Sequence, residues 1–339
     1  MRADLRAVWA TLVLALLAAT YQDAAADDDF YRGRTIDLYI GFGVGGTYDL
    51  YARAVANHLG RFIPGQPAIV PHSMPGAGGL VAANFMYKVA PRDGTALAIT
   101  SQTMALDQVF GTAGITYDAQ DFIWIGRIAS APSIFFTWHQ SPTKSFADAR
   151  ERVTTMGSSG SGDTTDTPRA LNALAGAKFK LVLGYRGSND VALAVERGEV
   201  EGGYALWTDL KFRKADWLRD KLVNLLFLVA DRRDKDYPDL PVAGDLPPTP
   251  EGKKILALFA APVAVGRSLF TAPGVPDARV ALLRQAFAST LKDPEFLADA
   301  QRIGLEVDPL GGAELQAQVR ALMQTPSDLV AKAEEARRP

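Results

Sequence analysis

The chain has 339 residues, 36 basic and 38 acidic side chains for a net charge of −2, and no cysteine. That balance gives no electrostatic case for nucleic acid or an anionic membrane surface as a partner. The lack of cysteine excludes disulfides, thiolate metal sites, a cysteine nucleophile and a lipoprotein anchor.

Residues 1–26 read as a secretory signal peptide. Arg2 and Arg6 form a positive start, 8–19 is an apolar run too short to span a bilayer well, and Ala24-Ala25-Ala26 offers small residues for cleavage. No later stretch is apolar enough to cross a membrane, so a soluble chain in a periplasm-like space is expected. The mature chain would hold about 313 residues, which the length prior divides into two domains. In chain order, strands are predicted at 36–40, 68–72, 96–100, 122–126, 133–138, 153–157, 179–183, 200–204 and 224–229. Helices are predicted at 47–59, 80–89, 146–152, 168–174, 190–196, 277–291 and 313–323. In the first helix Leu50, Ala54, Val55 and Leu59 share one face, Thr47 can cap the start and Gly60 can end it. Residues 153–204 repeat the architecture of 34–100, so two α/β lobes are expected. The lobes are placed at 27–136 with 262–339, and at 137–261. The runs 133–138 and 262–265 read as crossings between lobes, 231–250 as a surface connection, and 327–339 as a solvated or frayed end.

Gly41-Phe42-Gly43-Val44-Gly45-Gly46 fits the spacing of a dinucleotide fingerprint at a strand-to-helix turn. The fingerprint also needs an acidic residue about 20 positions on, and there is none between Asp49 and Asp93. No Walker A motif follows any glycine-rich loop, so no nucleotide cofactor is expected. Free N–H groups at a helix start still favour an anion, a carboxylate as readily as a phosphate. Three further loops have related chemistry: 74–79, 157–165 and 184–190. In the third, Arg186 can make a forked contact with a carboxylate. Polar glycine-rich loops at the carboxyl ends of strands in both halves describe a cleft lined from both sides. Each loop taken alone is also compatible with an ordinary turn. Catalysis has little support: His58, His72 and His139 lack metal-ligand spacing, 157–162 does not fit a nucleophile elbow, and His58 reads as a solvated helix residue. No metal or cofactor is expected.

The chain resembles the substrate-binding receptors of tripartite tricarboxylate transporters, the Bug family. The resemblance rests on Gly45-Gly46-Thr47-Tyr48-Asp49 with Ala52-Arg53, Met74-Pro75-Gly76-Ala77-Gly78-Gly79, and Pro91-Arg92-Asp93-Gly94. It continues through Tyr117-Asp118, Asp121-Phe122, Ile125-Gly126, Gly184-Tyr185-Arg186-Gly187, Glu196-Arg197-Gly198-Glu199-Val200 and Ala272-Pro273-Gly274-Val275-Pro276. It implies a two-lobed, type II-like periplasmic binding fold with two parallel-rich sheets. It also implies a monomer that closes on a small carboxylate, aliphatic or aromatic, and passes it to a large and a small membrane subunit. Carried over residue by residue, the ligand site comprises Phe42, Gly45, Gly46, Thr47 and Asp49, then Ser101 and Gln102, then Ser158, Ser159, Ser161 and Asp163, with Tyr185 and Arg186. Asp49 is expected to cap the loop or bind a ligand hydroxyl or water. Phe42, Tyr48, Tyr185 and Trp207 are read either as an apolar wall or as core. Gly43 and Val44 stand where the family often has prolines, and Asp163 adds a negative charge that argues against citrate. Two alternatives stay open: an exported enzyme for small acids using Asp163 or Asp49 with a serine, and a ligand-sensing subunit for a membrane receptor.

Overall fold

The structure, a computed structural model, describes residues 30–159, 162–185 and 187–338, and of Asp163 the backbone alone. The expected signal peptide, Ser161 and Arg186 lie outside the described residues. In chain order the strands are β1 (Thr35–Ile40), β2 (Ala68–Ser73), β3 (Ala96–Ile99), β4 (Ile123–Ala129), β5 (Ser133–Trp138), β6 (Thr154–Gly157), β7 (Phe179–Val182), β8 (Gly202–Leu206), β9 (Val223–Val229), β10 (Arg267–Thr271) and β11 (Leu310–Gly311). The helices are α1 (Thr47–Leu59), α2 (Leu80–Lys88), α3 (Met104–Val109), α4 (Phe146–Glu151), α5 (Asp163–Ala175), α6 (Ser188–Glu196), α7 (Trp207–Phe212), α8 (Ala215–Arg219), α9 (Pro250–Val265), α10 (Asp277–Thr290), α11 (Pro294–Arg302), α12 (Gly312–Met323) and α13 (Ser327–Ala336).

These elements form two mixed sheets flanked by helices, in the orders β11-β4-β10-β3-β1-β2 and β7-β6-β8-β5-β9. β1, β2 and β3 are parallel, and β10 enters antiparallel between β3 and β4. In the second sheet β6, β7 and β8 are parallel, while β5 runs antiparallel to β8 and β9. Pro71 cannot donate to a ladder, and its strand β2 lies at a sheet edge, where that costs nothing. The passage between sheets is the short segment 130–132, because β5 itself belongs wholly to the second sheet. The return is made by α9, whose Gly266 cap (φ +53°) leads directly into β10.

One core packs on α1, α10 and α11, with Ile36, Leu38, Val55, Leu283 and Phe296 buried. A second is continuous from the first sheet into the other, through Trp124, Phe270, Phe259, Phe227 and Trp207. α9 contributes Ile255, Leu256, Phe259 and Val263 to it and packs against α3, α5 and α12. The expected tail at 327–339 is the helix α13, with Ala333 and Ala336 buried. α1 forms as the apolar spacing predicts, except that Tyr51 and Ala52 are buried and Leu50 is only half-buried. Gly60 does not end it in a left-handed turn: its φ of −58° and ψ of −29° carry the chain into a short 3₁₀ turn.

Candidate functional site

The carboxyl ends of β1, β2 and β3 place three loops side by side. Gly45 has φ +83°, a conformation that favours glycine, and it precedes the start of α1. Thr47 does not cap that helix, contrary to expectation; Gly46 occupies the cap position, and no side chain bonds there. Instead Asp49 reaches back from the first turn. Its Oδ2 accepts from Gly45 N at 2.9 Å, and its Oδ1 accepts from Arg53 Nε at 2.8 Å. Burial opposes ionisation of Asp49, but the hydrogen bonds from Arg53 and Gly45 and the Arg53 charge outweigh it, holding the carboxyl below its ordinary range. Asp49 is therefore the residue that fixes the glycine turn.

The neighbouring loops are packed closely against this one, with the Thr100 hydroxyl between Gly41 and Gly79. A Cβ on Gly79 would lie 2.2 Å from Thr100 Oγ1, and one on Gly41 would lie 2.5 Å from the same atom. Thr100 Oγ1 donates to Gly79 O at 2.9 Å, and Ser73 Oγ donates to Phe42 O at 2.8 Å. Phe42 stacks on Tyr48, with centroids 4.3 Å apart and planes at 13°. The Tyr48 hydroxyl accepts from Gln102 N at 2.9 Å, tying α1 to the end of β3. Ser101 pairs with Thr103 at 2.8 Å, and Thr103 donates to Asp107 at 2.7 Å. Phe42, Gly45, Gly46, Thr47, Asp49, Ser101 and Gln102 thus form one neighbourhood.

In the second sheet, Ser158 follows β6 and is fully buried, its hydroxyl 2.7 Å from Thr165 Oγ1 and 3.2 Å from Thr164 Oγ1. Ser159 is half-buried, 2.9 Å from Thr164 Oγ1. These bonds knit the loop to the first turn of α5, which begins at Asp163. Tyr185 is half-buried beside β6: a Cβ on Gly157 would lie 3.2 Å from its Cε2. Burial, then the Glu199 charge, raise its hydroxyl above the ordinary value. A cavity of about 90 Å³ joins the two halves, lined by Gln102 and Thr103 from one side and Gly162, Asp166 and Val229 from the other. A larger one of about 420 Å³ lies by the 130–132 passage, lined by Trp207, Lys211, Arg232, Glu306 and Asp308 among others. Trp207 is nearly buried, and its indole N–H donates to Asp234.

An arginine on β10 went unread in the sequence. Arg267 begins β10, 5% exposed; Nη1 donates to Gln102 Oε1 at 2.7 Å, and the guanidinium carbon lies 4.0 Å from the Tyr48 ring centroid. Tyr51, one turn along α1, donates to Glu306 O at 3.0 Å; burial is the largest influence pushing its hydroxyl up to about 12, with Arg267 opposing. The available signal was a lone charge in the apolar run 263–272. His58 is a correction of another kind: it is buried, not solvated, with Nε2 2.9 Å from Asp299 Oδ2. His58, Asp293 and Glu295 converge in the manner of metal ligands, but Arg61 bonds to all three and places its own charge among them.

Known proteins share this fold. The solute-binding protein TctC of Polaromonas shares the fold with a TM-score of 0.69 at 18% identity, over 89% of this chain and 99% of that one. An adipate-bound Rhodopseudomonas palustris protein gives 0.63 at 22% identity, over 89% and 98%. The malate-bound MatC of the same organism gives 0.62 at 20%, over 88% and 99%. A Cupriavidus necator protein described as the UPF0065 protein in the gbd 5′ region is 28% identical over 72% of each chain. Among the described residues no helix is long and apolar enough to cross a membrane. The model of the tripartite tricarboxylate transporter family receptor, TctC, matches residues 51–328, and the chain belongs to that family.

Proposed function

We propose that the protein is an exported, periplasmic receptor that closes two lobes on a small carboxylate and presents it to a large and a small membrane subunit. The lobes in this reading are 27–136 with 262–339, and 137–261, except that all of β5 (Ser133–Trp138) goes with the second. The observation that carries it is one cavity that Gln102 and Thr103, at the end of β3, share with Gly162, just ahead of α5 in the second sheet's half. On the first side the N–H groups at the start of α1 are free of side-chain caps and backed by the helix dipole, a ready anion site. Malate and adipate in the two R. palustris relatives are small carboxylates of the kind such a site accepts.

In this reading Phe42, Gly45, Gly46, Thr47, Ser101 and Gln102 meet the ligand from the first lobe. Ser159, Ser161, Asp163, Tyr185 and Arg186 meet it from the second, while Asp49 and Ser158 hold the loops in shape. Each lobe offers half a site, and a ligand that completes both stabilises the closed form. A thermal-shift screen of mono-, di- and tricarboxylates on the ligand-free mature protein tests this. An acid at 100 times its dissociation constant adds about 2.7 kcal/mol. A shift confined to one class of acid identifies the cargo; no shift from any acid overturns the reading.

A further inference from the structure

Arg267 has a property that packing alone does not explain. It is almost wholly buried, yet its Nε has no acceptor, and it makes no ion pair among the described residues. Its one hydrogen bond goes to the neutral Gln102 side chain. The nearby Tyr48 ring offers a cation–π face, with Phe42 stacked at 4.3 Å on that ring and so necessarily on the other face. A guanidinium held in this way is desolvated and oriented but lacks its counter-charge. Its partner Gln102 lines the cavity between the two halves. β10 runs antiparallel to β3 with Phe270 opposite Ala98, which puts Arg267 at the end of β3 beside Gln102. Tyr48 lies in the first turn of α1, so the charge shares its neighbourhood with the uncapped helix start.

We propose that Arg267 is the anchor for a ligand carboxylate, with Gln102 and Tyr48 holding its planar fork in place. The proposal rests on the carboxylate-receptor reading and deepens it by naming the charge that the ligand neutralises. A carboxylate matches the fork in a bidentate contact that a point charge does not reproduce. Arginine is preferred here to lysine because it can also lie flat on Tyr48. The ligand-free protein then carries an uncompensated charge that binding relieves.

The test uses the ligand-free mature protein and the variants Arg267→Gln and Arg267→Lys, titrated calorimetrically with succinate, malate, adipate and benzoate. For the acid that binds the wild type, Arg267→Gln is expected to weaken binding by about 100-fold or more. Arg267→Lys keeps the charge but loses the fork, and should fall between the two. Thermal melts without ligand separate anchoring from architecture. An anchor predicts that Arg267→Gln melts at or above the wild-type temperature. A melting point well below wild type would make Arg267 structural and overturn the proposal. Binding by Arg267→Gln within threefold of wild type would also overturn it, while leaving the receptor reading intact. If the wild type binds none of the four acids, the receptor reading fails first and the anchor with it.

Discussion

Arg127 and Arg267 stand on neighbouring antiparallel strands, with Arg127 opposite Ser268 and Arg267 opposite Ala129. They are equally buried, at 4% and 5% exposure. Arg127 is fully engaged: Nε donates to Asp308 O at 3.2 Å, Nη1 to Ala264 O at 2.9 Å and Nη2 to Asp308 Oδ2 at 3.0 Å. Those bonds join β4 to the segment before β11 and to the end of α9, so this guanidinium fastens the junction where the chain changes sheets. Arg267 joins only Gln102 and leaves Nε without an acceptor. Burial by itself therefore does not tell a structural arginine from one kept for a ligand; the partners do.

The sharpest way to break that contrast is to remove each guanidinium in turn. Arg127→Met leaves the Ala264 and Asp308 carbonyls without their buried donor and Asp308 with only Ser130 and the exposed Arg232, and should cost about 3–5 kcal/mol in a denaturant melt. Next comes Asp308→Asn, expected to cost about 1.5–3 kcal/mol at neutral pH because it weakens charge-assisted bonds. Burial opposes ionisation of Asp308, but the Ser130 bond and the Arg127 and Arg232 charges hold its carboxyl below the ordinary range. A depressed folded pKa adds stability that is complete above the unfolded value of about 3.9 and is lost as pH falls through the folded one. The gap between wild type and Asp308→Asn should accordingly be constant from pH 7 to 5 and shrink below pH 4; a gap that widens in acid would refute the assignment. Arg232 also pairs with Asp308, at 2.9 Å, but is 69% exposed. Arg232→Ala should cost no more than about 1 kcal/mol, and a larger loss would mean that solvent does not screen the pair. Arg267→Met should be smallest, within about 1 kcal/mol of zero or stabilising, because it removes a charge with no counter-charge. A loss on the Arg127 scale would erase the distinction.

The same contrast explains what sequence reading reached. β1, α1 and their glycine turn were legible because they are local: an apolar run, a turn that needs glycine, a helical face. α9 was not. Its apolar residues, Ile255 to Val265, leave little polar contrast around the helix, and Pro262 within it reads as a break. Buried on several sides, it had no one-sided pattern to betray it. α13 looked solvated because its contacts are distant in sequence: the C-terminal Arg337 pairs with Asp166 at 3.2 Å and lies over Phe110. At the site, loops and residue types were foreseen, and so was Asp49 as a loop cap, but not that Ser158 would turn inward to Thr165. Arg267 was missed for a further reason: a charge in a strand gains its meaning only when β10 meets β3.

The position of β10 also sets an order of events. Synthesis delivers the N-terminal strands first, yet β10 lies between β3 and β4 and bonds to both. Until residues 267–271 arrive, β4 has no bridge to β3 and the first sheet stays in two pieces. The second sheet is drawn from one unbroken stretch, Ser133 to Val229, and has no such wait. A chain stopped at residue 265 should thus protect 133–229 from protease while 30–129 is still digested; equal protection of both would refute this order. The half of the molecule that is made first would be the half that matures last, because it waits for the strand that brings Arg267 to Gln102 at the end of β3.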